Sequence, residues 1–159
     1  MSVITIGIGE WAVSSDPSDV IKTFALGSCV AAMIFDQALG LAGMIHVALP
    51  ESVIDPERAR TAPGYFADTG LPLMIEDMKR RGATRPKVWV KLAGGATMLD
   101  PAGLFDIGKR NVVAVKRVLW QSSLGPLAED VGGETSRTVE MKVAGGVITL
   151  STNGRQWTI

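Results

Sequence analysis

CVAAMIFDQALGLAGMIHVAL, residues 29 to 49, holds two β-prone apolar runs, Cys29 to Phe35 and Leu41 to Leu49. Between them lies a polar, glycine-bearing turn from Asp36 to Gly40. The stretch therefore predicts a hairpin, and it carries the one cysteine and the one histidine of the chain. If the turn falls between Gln37 and Ala38, Phe35 faces Gly40 and Cys29 lies directly across from His46. Their Cβ atoms would then be roughly 4.5–5.5 Å apart. Shifting the turn by one residue makes the two diagonal neighbours that still share a face. Any register that changes face parity separates them across the sheet.

Outward from this hairpin the chain reads as strands with two helices among them. Val3 to Ile8 and Val20 to Leu26 are β-branched runs that end in glycines, and Ser14 to Asp19 is a polar loop. Glu51 to Gly64, with two prolines and several charges, is expected to be a long surface loop. Leu71, Met74, Ile75 and Met78 recur at helical spacing, with Asp68 or Thr69 as the expected cap and Gly82 as the stop. Lys87 to Leu92 alternates as a strand and runs into Gly94 and Gly95. A second helix is expected from Asp106 to about Ser123, with Val115, Val118 and Leu119 inward. Asn111 shares the stripe begun by Ile107, which is unusual for a purely structural helix. Strands follow at Leu127 to Val131, Arg137 to Val143, Val147 to Ser151 and Gln156 to Ile159. The fold class expected is α+β: a layered β-sheet sandwich, mostly antiparallel, with helices packed on one side.

Composition narrows the function. The 159 residues, 47% of them hydrophobic, suit one domain spanning 1–159 with a continuous core. Sixteen basic and sixteen acidic side chains cancel, so no net field draws nucleic acid or anionic lipid. A lone cysteine excludes an internal disulfide and agrees with a reducing compartment. Met1 to Ile8 lacks a basic leader, and Val30 to Leu49 is broken by Asp36, Gln37, Gly40, Gly43 and His46. A cytoplasmic location without membrane insertion is expected.

Competing motifs fail on context. Gly7, Gly9 and Ala12 imitate a dinucleotide fingerprint, but a polar loop at Ser14 replaces the helix that should follow. No glycine precedes Lys-Ser or Lys-Thr, so a phosphate-binding loop is absent. The adjacent carboxylates Glu76 with Asp77 and Glu129 with Asp130 suit solvated or capping roles. Gly145 with Gly146 suits a hairpin turn. One cysteine and one histidine cannot supply the three or four ligands of a zinc site.

What remains is thiol plus imidazole. A neutral thiol beside an imidazolium has its pKa drawn down, and the thiolate can attack a carbonyl carbon. The imidazole then protonates the leaving group. Gly27 and Ser28 let the backbone bend so that N–H groups can face an oxyanion, and the Thr23 hydroxyl can hold the imidazole. The residues alone favour the plainer reading, a buried, inert cysteine and a core histidine.

Six blocks in one order reverse that preference. They are Ala25-Leu26-Gly27-Ser28-Cys29-Val30, Ile45-His46-Val47-Ala48-Leu49-Pro50 and Tyr65-Phe66-Ala67-Asp68-Thr69. Lys91-Leu92-Ala93-Gly94-Gly95-Ala96, Ile107-Gly108-Lys109-Arg110-Asn111-Val112 and Asp130-Val131-Gly132-Gly133 with Arg137 follow. Together they make the chain resemble the CheD family, the chemoreceptor glutamine deamidases of bacterial and archaeal chemotaxis. The resemblance implies Cys29 as nucleophile, His46 as base and Thr23 as the orienting residue. It implies a sandwich similar to the catalytic domain of cytotoxic necrotizing factor toxins. It also implies deamidation of glutamines on chemoreceptor cytoplasmic helices, through a thioester and without metal or organic cofactor. Gly27, Ser28, Gly94, Gly95 and Asn111 are candidates to shape the substrate cleft. Members often carry Gly where this chain has Ala25, and Met where it has Ala48. A docking module for the phosphatase CheC is the alternative from another class, and a cysteine protease or transglutaminase-like acyl transferase is a third.

Overall fold

A computed structural model describes residues 1–83, 87–97 and 106–159. Among these, ten strands form two five-stranded sheets. The first runs β1 (Val3–Thr5), β3 (Val20–Leu26), β8 (Arg137–Lys142), β9 (Val147–Thr152) and β10 (Arg155–Thr158). The second runs β2 (Trp11–Ser14), β5 (Leu41–Val47), β4 (Val30–Asp36), β6 (Val88–Gly94) and β7 (Pro126–Val131). Only β1 with β3 and β6 with β7 pair in parallel. The expected α+β sandwich is what forms.

β4 and β5 are buried at every position, because both faces of the second sheet are covered. On one face Ala31, Met33, Phe35, Ala42 and Met44 meet Ile21, Leu26, Val139, Met141 and Leu150 of the other sheet. On the opposite face Val30, Ala32, Ile34, Ile45 and Val47 meet two helices, α2 (Ala67–Arg80) and α3 (Ile107–Gln121). The helical residues Leu71, Met74, Ile75 and Met78 lie in this layer, as their spacing predicts. Each such burial contributes roughly 1.5–3 kcal/mol. Gly43 lets α2 approach, since a Cβ there would sit 2.9 Å from Met78 Sδ.

The hairpin takes the second of the two registers considered: Val30 pairs with Val47 and Ala31 with His46. Asp36 sets that turn by accepting from the N–H groups of Ala38 and Leu39 at 2.9 and 3.1 Å. Cys29 and His46 are therefore diagonal, not directly opposed, and share the face turned toward the first sheet.

Three expectations needed correction. Glu51 to Gly64 is not an open loop: it holds α1 (Pro56–Thr61) between short 3-10 turns at Ser52–Ile54 and Pro63–Tyr65. Asp68 and Thr69 do not cap α2, which starts at Ala67. They pin this segment instead: Asp68 accepts from Ser52 N and Oγ, each at 2.8 Å, and Thr69 Oγ1 donates to Pro63 O at 2.6 Å. The short edge strand β2 was not anticipated, because four residues show too little periodicity.

Candidate catalytic site

Thr23 reaches the site from the first sheet. After it, β3 carries one extra residue relative to β8, with Thr23 opposite Val139 and Leu26 opposite Arg137. Ala25 absorbs the bulge in a left-handed conformation, φ 56°. Phe24 is thereby turned outward, 52% exposed, while Thr23 and Leu26 both stay buried.

The Thr23 hydroxyl has one proton and gives it to Ile6 O at 2.9 Å. Its 2.6 Å contact with His46 Nδ1 must then be a bond that the hydroxyl accepts. Nδ1 thus carries the ring proton, and Nε2 presents its lone pair. Nε2 is buried and has no hydrogen-bond partner among the described residues. Neighbouring backbone fixes the ring's position: His46 N donates to Glu10 O at 3.0 Å, and Gly9 N donates to His46 O at 2.8 Å.

Cys29 precedes β4 by one residue and is partly exposed, so packing does not seal it from a partner. The carbonyls on each side of it are held one after another. Ala96 N donates to Gly27 O at 2.8 Å, Asn111 Nδ2 to Ser28 O at 2.8 Å, and Gly95 N to Cys29 O at 2.8 Å. Asn111 Nδ2 also donates to Ala48 O at 3.0 Å, tying α3 to the start of β4 and the end of β5. Gly94 has φ 108°, and a Cβ there would lie 2.2 Å from Cys29 O. Among the residues expected to shape the cleft, Gly94, Gly95 and Asn111 therefore sit against the backbone of Gly27, Ser28 and Cys29 and hold it in place.

Burial governs the ionisation of the pair. It pushes the Cys29 thiol up, with the residue's own N–H acting more weakly in the other direction. It pushes His46 down to about 4. At neutral pH the resting pair is thiol and imidazole, not the thiolate and imidazolium that adjacency alone suggests.

Two supporting groups escaped the sequence argument. Ile6 contributes only a carbonyl, which no side-chain pattern reveals. Asp130, expected to be solvated or capping, instead accepts from Arg137 Nε and Trp157 Nε1, each at 2.8 Å. Arg137 also donates to Gly94 O at 3.2 Å and Gly132 O at 2.8 Å, bracing the strand end behind Cys29.

Residues 48–152 match the family model described as CheD chemotactic sensory transduction. A probable chemoreceptor glutamine deamidase CheD of Syntrophotalea carbinolica is 48% identical, covering all of both chains. A probable chemoreceptor glutamine deamidase CheD 2 of Anaeromyxobacter dehalogenans is 47% identical over 94% of each. The chemoreceptor glutamine deamidase CheD of Thermotoga maritima is 42% identical over 89% of this chain and 86% of its own.

Proposed function

The chain belongs to the CheD family, and from that premise we propose that Cys29, His46 and Thr23 hydrolyse glutamine side chains of a chemoreceptor to glutamate, releasing ammonia. His46 Nε2 takes the thiol proton as sulfur attacks the carboxamide carbon, and a C–S bond forms. Backbone N–H groups beside the sulfur, that of Cys29 among them, hold the developing oxyanion. His46 then passes its proton to nitrogen, the C–N bond breaks, and ammonia leaves a thioester. Water attacks next, His46 takes one of its protons, and that proton returns to sulfur as the carboxylic acid departs. Thr23 holds the ring in the tautomer that both half-reactions need.

The observation that carries this is the direction of the Thr23–His46 bond, which leaves the Nε2 lone pair free on the face shared with a partly exposed thiol. No helix among the described residues is long and apolar enough to cross a membrane. We place the protein in the cytoplasm, acting on the helical cytoplasmic part of a receptor. Conversion of receptor-fragment glutamine to glutamate, followed by mass spectrometry, tests the reading. A Cys29→Ala variant that converts as fast as the parent would sink it. Pairing with a CheC phosphatase follows from the same family reading, and co-purification of the two proteins tests it.

A further inference from the structure

The outward face of α3 bears Lys109, Arg110, Val113, Lys116, Arg117 and Trp120, and the helix contains no acidic residue. In a chain of zero net charge this is a segregated cationic ridge. Lys116 is engaged by the Glu129 carboxylate at 2.9 Å, whereas Lys109, Arg110 and Arg117 have no ion pair among the described residues. Apolar surface lies among these cations, with Val113 48% and Trp120 66% exposed. A groove of about 250 Å³ runs along the ridge, lined by Lys109, Arg110, Val113 and Arg117 with Pro50 and Glu51 opposite. Its inner end abuts the catalytic strands: Pro50 follows β5 closely, and Asn111, next to Arg110, holds the carbonyls of Ser28 and Ala48.

We propose that this ridge is a docking site for an acidic amphipathic helix carrying the target glutamine. Arg110, Val113 and Arg117 set a charge–apolar–charge pattern at i, i+3 and i+7. Arg110 and Arg117 are two turns apart, roughly 10 Å along the axis. A partner helix with carboxylates two turns apart and an apolar side chain between them matches that spacing. Glu51 is the single carboxylate in the groove wall and disfavours nothing of this pattern beyond its own position. The site rests on the deamidase reading and names the chemistry of its substrate, with rim charges acting mainly on encounter and selection.

The test uses two designed helical peptides with one glutamine each, identical except for Glu or Lys one and two turns from it. The parent protein is expected to deamidate the Glu peptide at least fivefold more efficiently at low salt, with the preference shrinking in 0.5 M NaCl, roughly the effect of two exposed charge pairs. Arg110→Glu with Arg117→Glu should raise KM for the Glu peptide by a similar factor, leave kcat within about twofold, and turn the preference toward the Lys peptide. Should the double reversal not fold, Arg110→Gln with Arg117→Gln should lose the preference without inverting it. Equal use of both peptides by the parent, or an unchanged KM in the folded variant, overturns the docking site. If the parent deamidates neither, the deamidase reading fails separately. Fluorescence anisotropy of the two peptides on Cys29→Ser protein then decides docking, with tighter binding of the Glu peptide supporting it and equal binding refuting it.

Discussion

Thr23→Val removes one hydroxyl and keeps the volume of the side chain. Two bonds go with it: the donation to Ile6 O at 2.9 Å and the acceptance from His46 Nδ1 at 2.6 Å. All of this lies in a site where Thr23 is fully buried and His46 is 2% exposed, so water does not replace them. A buried group left without its partner costs about 1–3 kcal/mol, and the fold should lose stability of that order. In a domain of this size each kcal/mol corresponds to roughly 2–4 °C in Tm. The chemistry should suffer separately. The Thr23 bond is what favours the Nδ1–H tautomer, and its net worth of about 0.5–1.5 kcal/mol becomes a loss of reactive tautomer. With the ring also free to tilt, kcat should fall roughly 10- to 100-fold, equivalent to about 1.4–2.7 kcal/mol. The assay is amide-to-acid conversion of receptor fragment by mass spectrometry at saturating substrate, below the melting range of the variant. Thr23→Ser retains the hydroxyl and should restore most of the rate. A folded Thr23→Val protein with kcat within about twofold of the parent would refute the tautomer argument, whatever its Tm.

Other consequences are as direct. Because burial holds His46 near 4 while the unfolded chain titrates it near 6.5, the unfolded state binds the extra proton first. Stability should therefore drop as pH falls from 6.5 to 4, by about 3 kcal/mol in all, and urea midpoints of His46→Gln should show a flatter dependence. With Cys29 pushed up, alkylation by iodoacetamide should be slow at neutral pH and rise above pH 9; fast alkylation at pH 6 would indicate a preformed ion pair. Gly94→Ala would place a Cβ 2.2 Å from Cys29 O at φ 108°, so activity should fall more than about tenfold as the nucleophile shifts. Ala25→Gly should relieve the left-handed strain at φ 56° and raise Tm by roughly 2–4 °C in thermal unfolding, consistent with about 1 kcal/mol.

The hairpin, the two helices and the layered class were legible in the sequence because they rest on local periodicity: runs at 29–35 and 41–49, and apolar residues at helical spacing over 71–78. The proposed nucleophile and base stood out through scarcity, one thiol and one imidazole in the whole chain, and the six blocks then carried the family. Three features needed the three-dimensional structure. Local patterning allows two neighbouring registers, and the Asp36 bonds to Ala38 and Leu39 select one of them. The 3-10 turns at Ser52–Ile54 and Pro63–Tyr65 pack against α2, which turns the expected capping residues Asp68 and Thr69 into pins for the preceding segment. The ionic state of the site depended on burial, which no sequence window measures.

Sequence by itself therefore determined which atoms can react here, since side-chain identity is covalent and local. The three-dimensional fold alone decided how those atoms are poised. Thr23 and His46 belong to different sheets, and only the packing of one sheet on the other brings hydroxyl and ring to 2.6 Å. The orientation of the ring proton then follows from a backbone carbonyl, Ile6 O, whose place is set by strand pairing and not by any side chain.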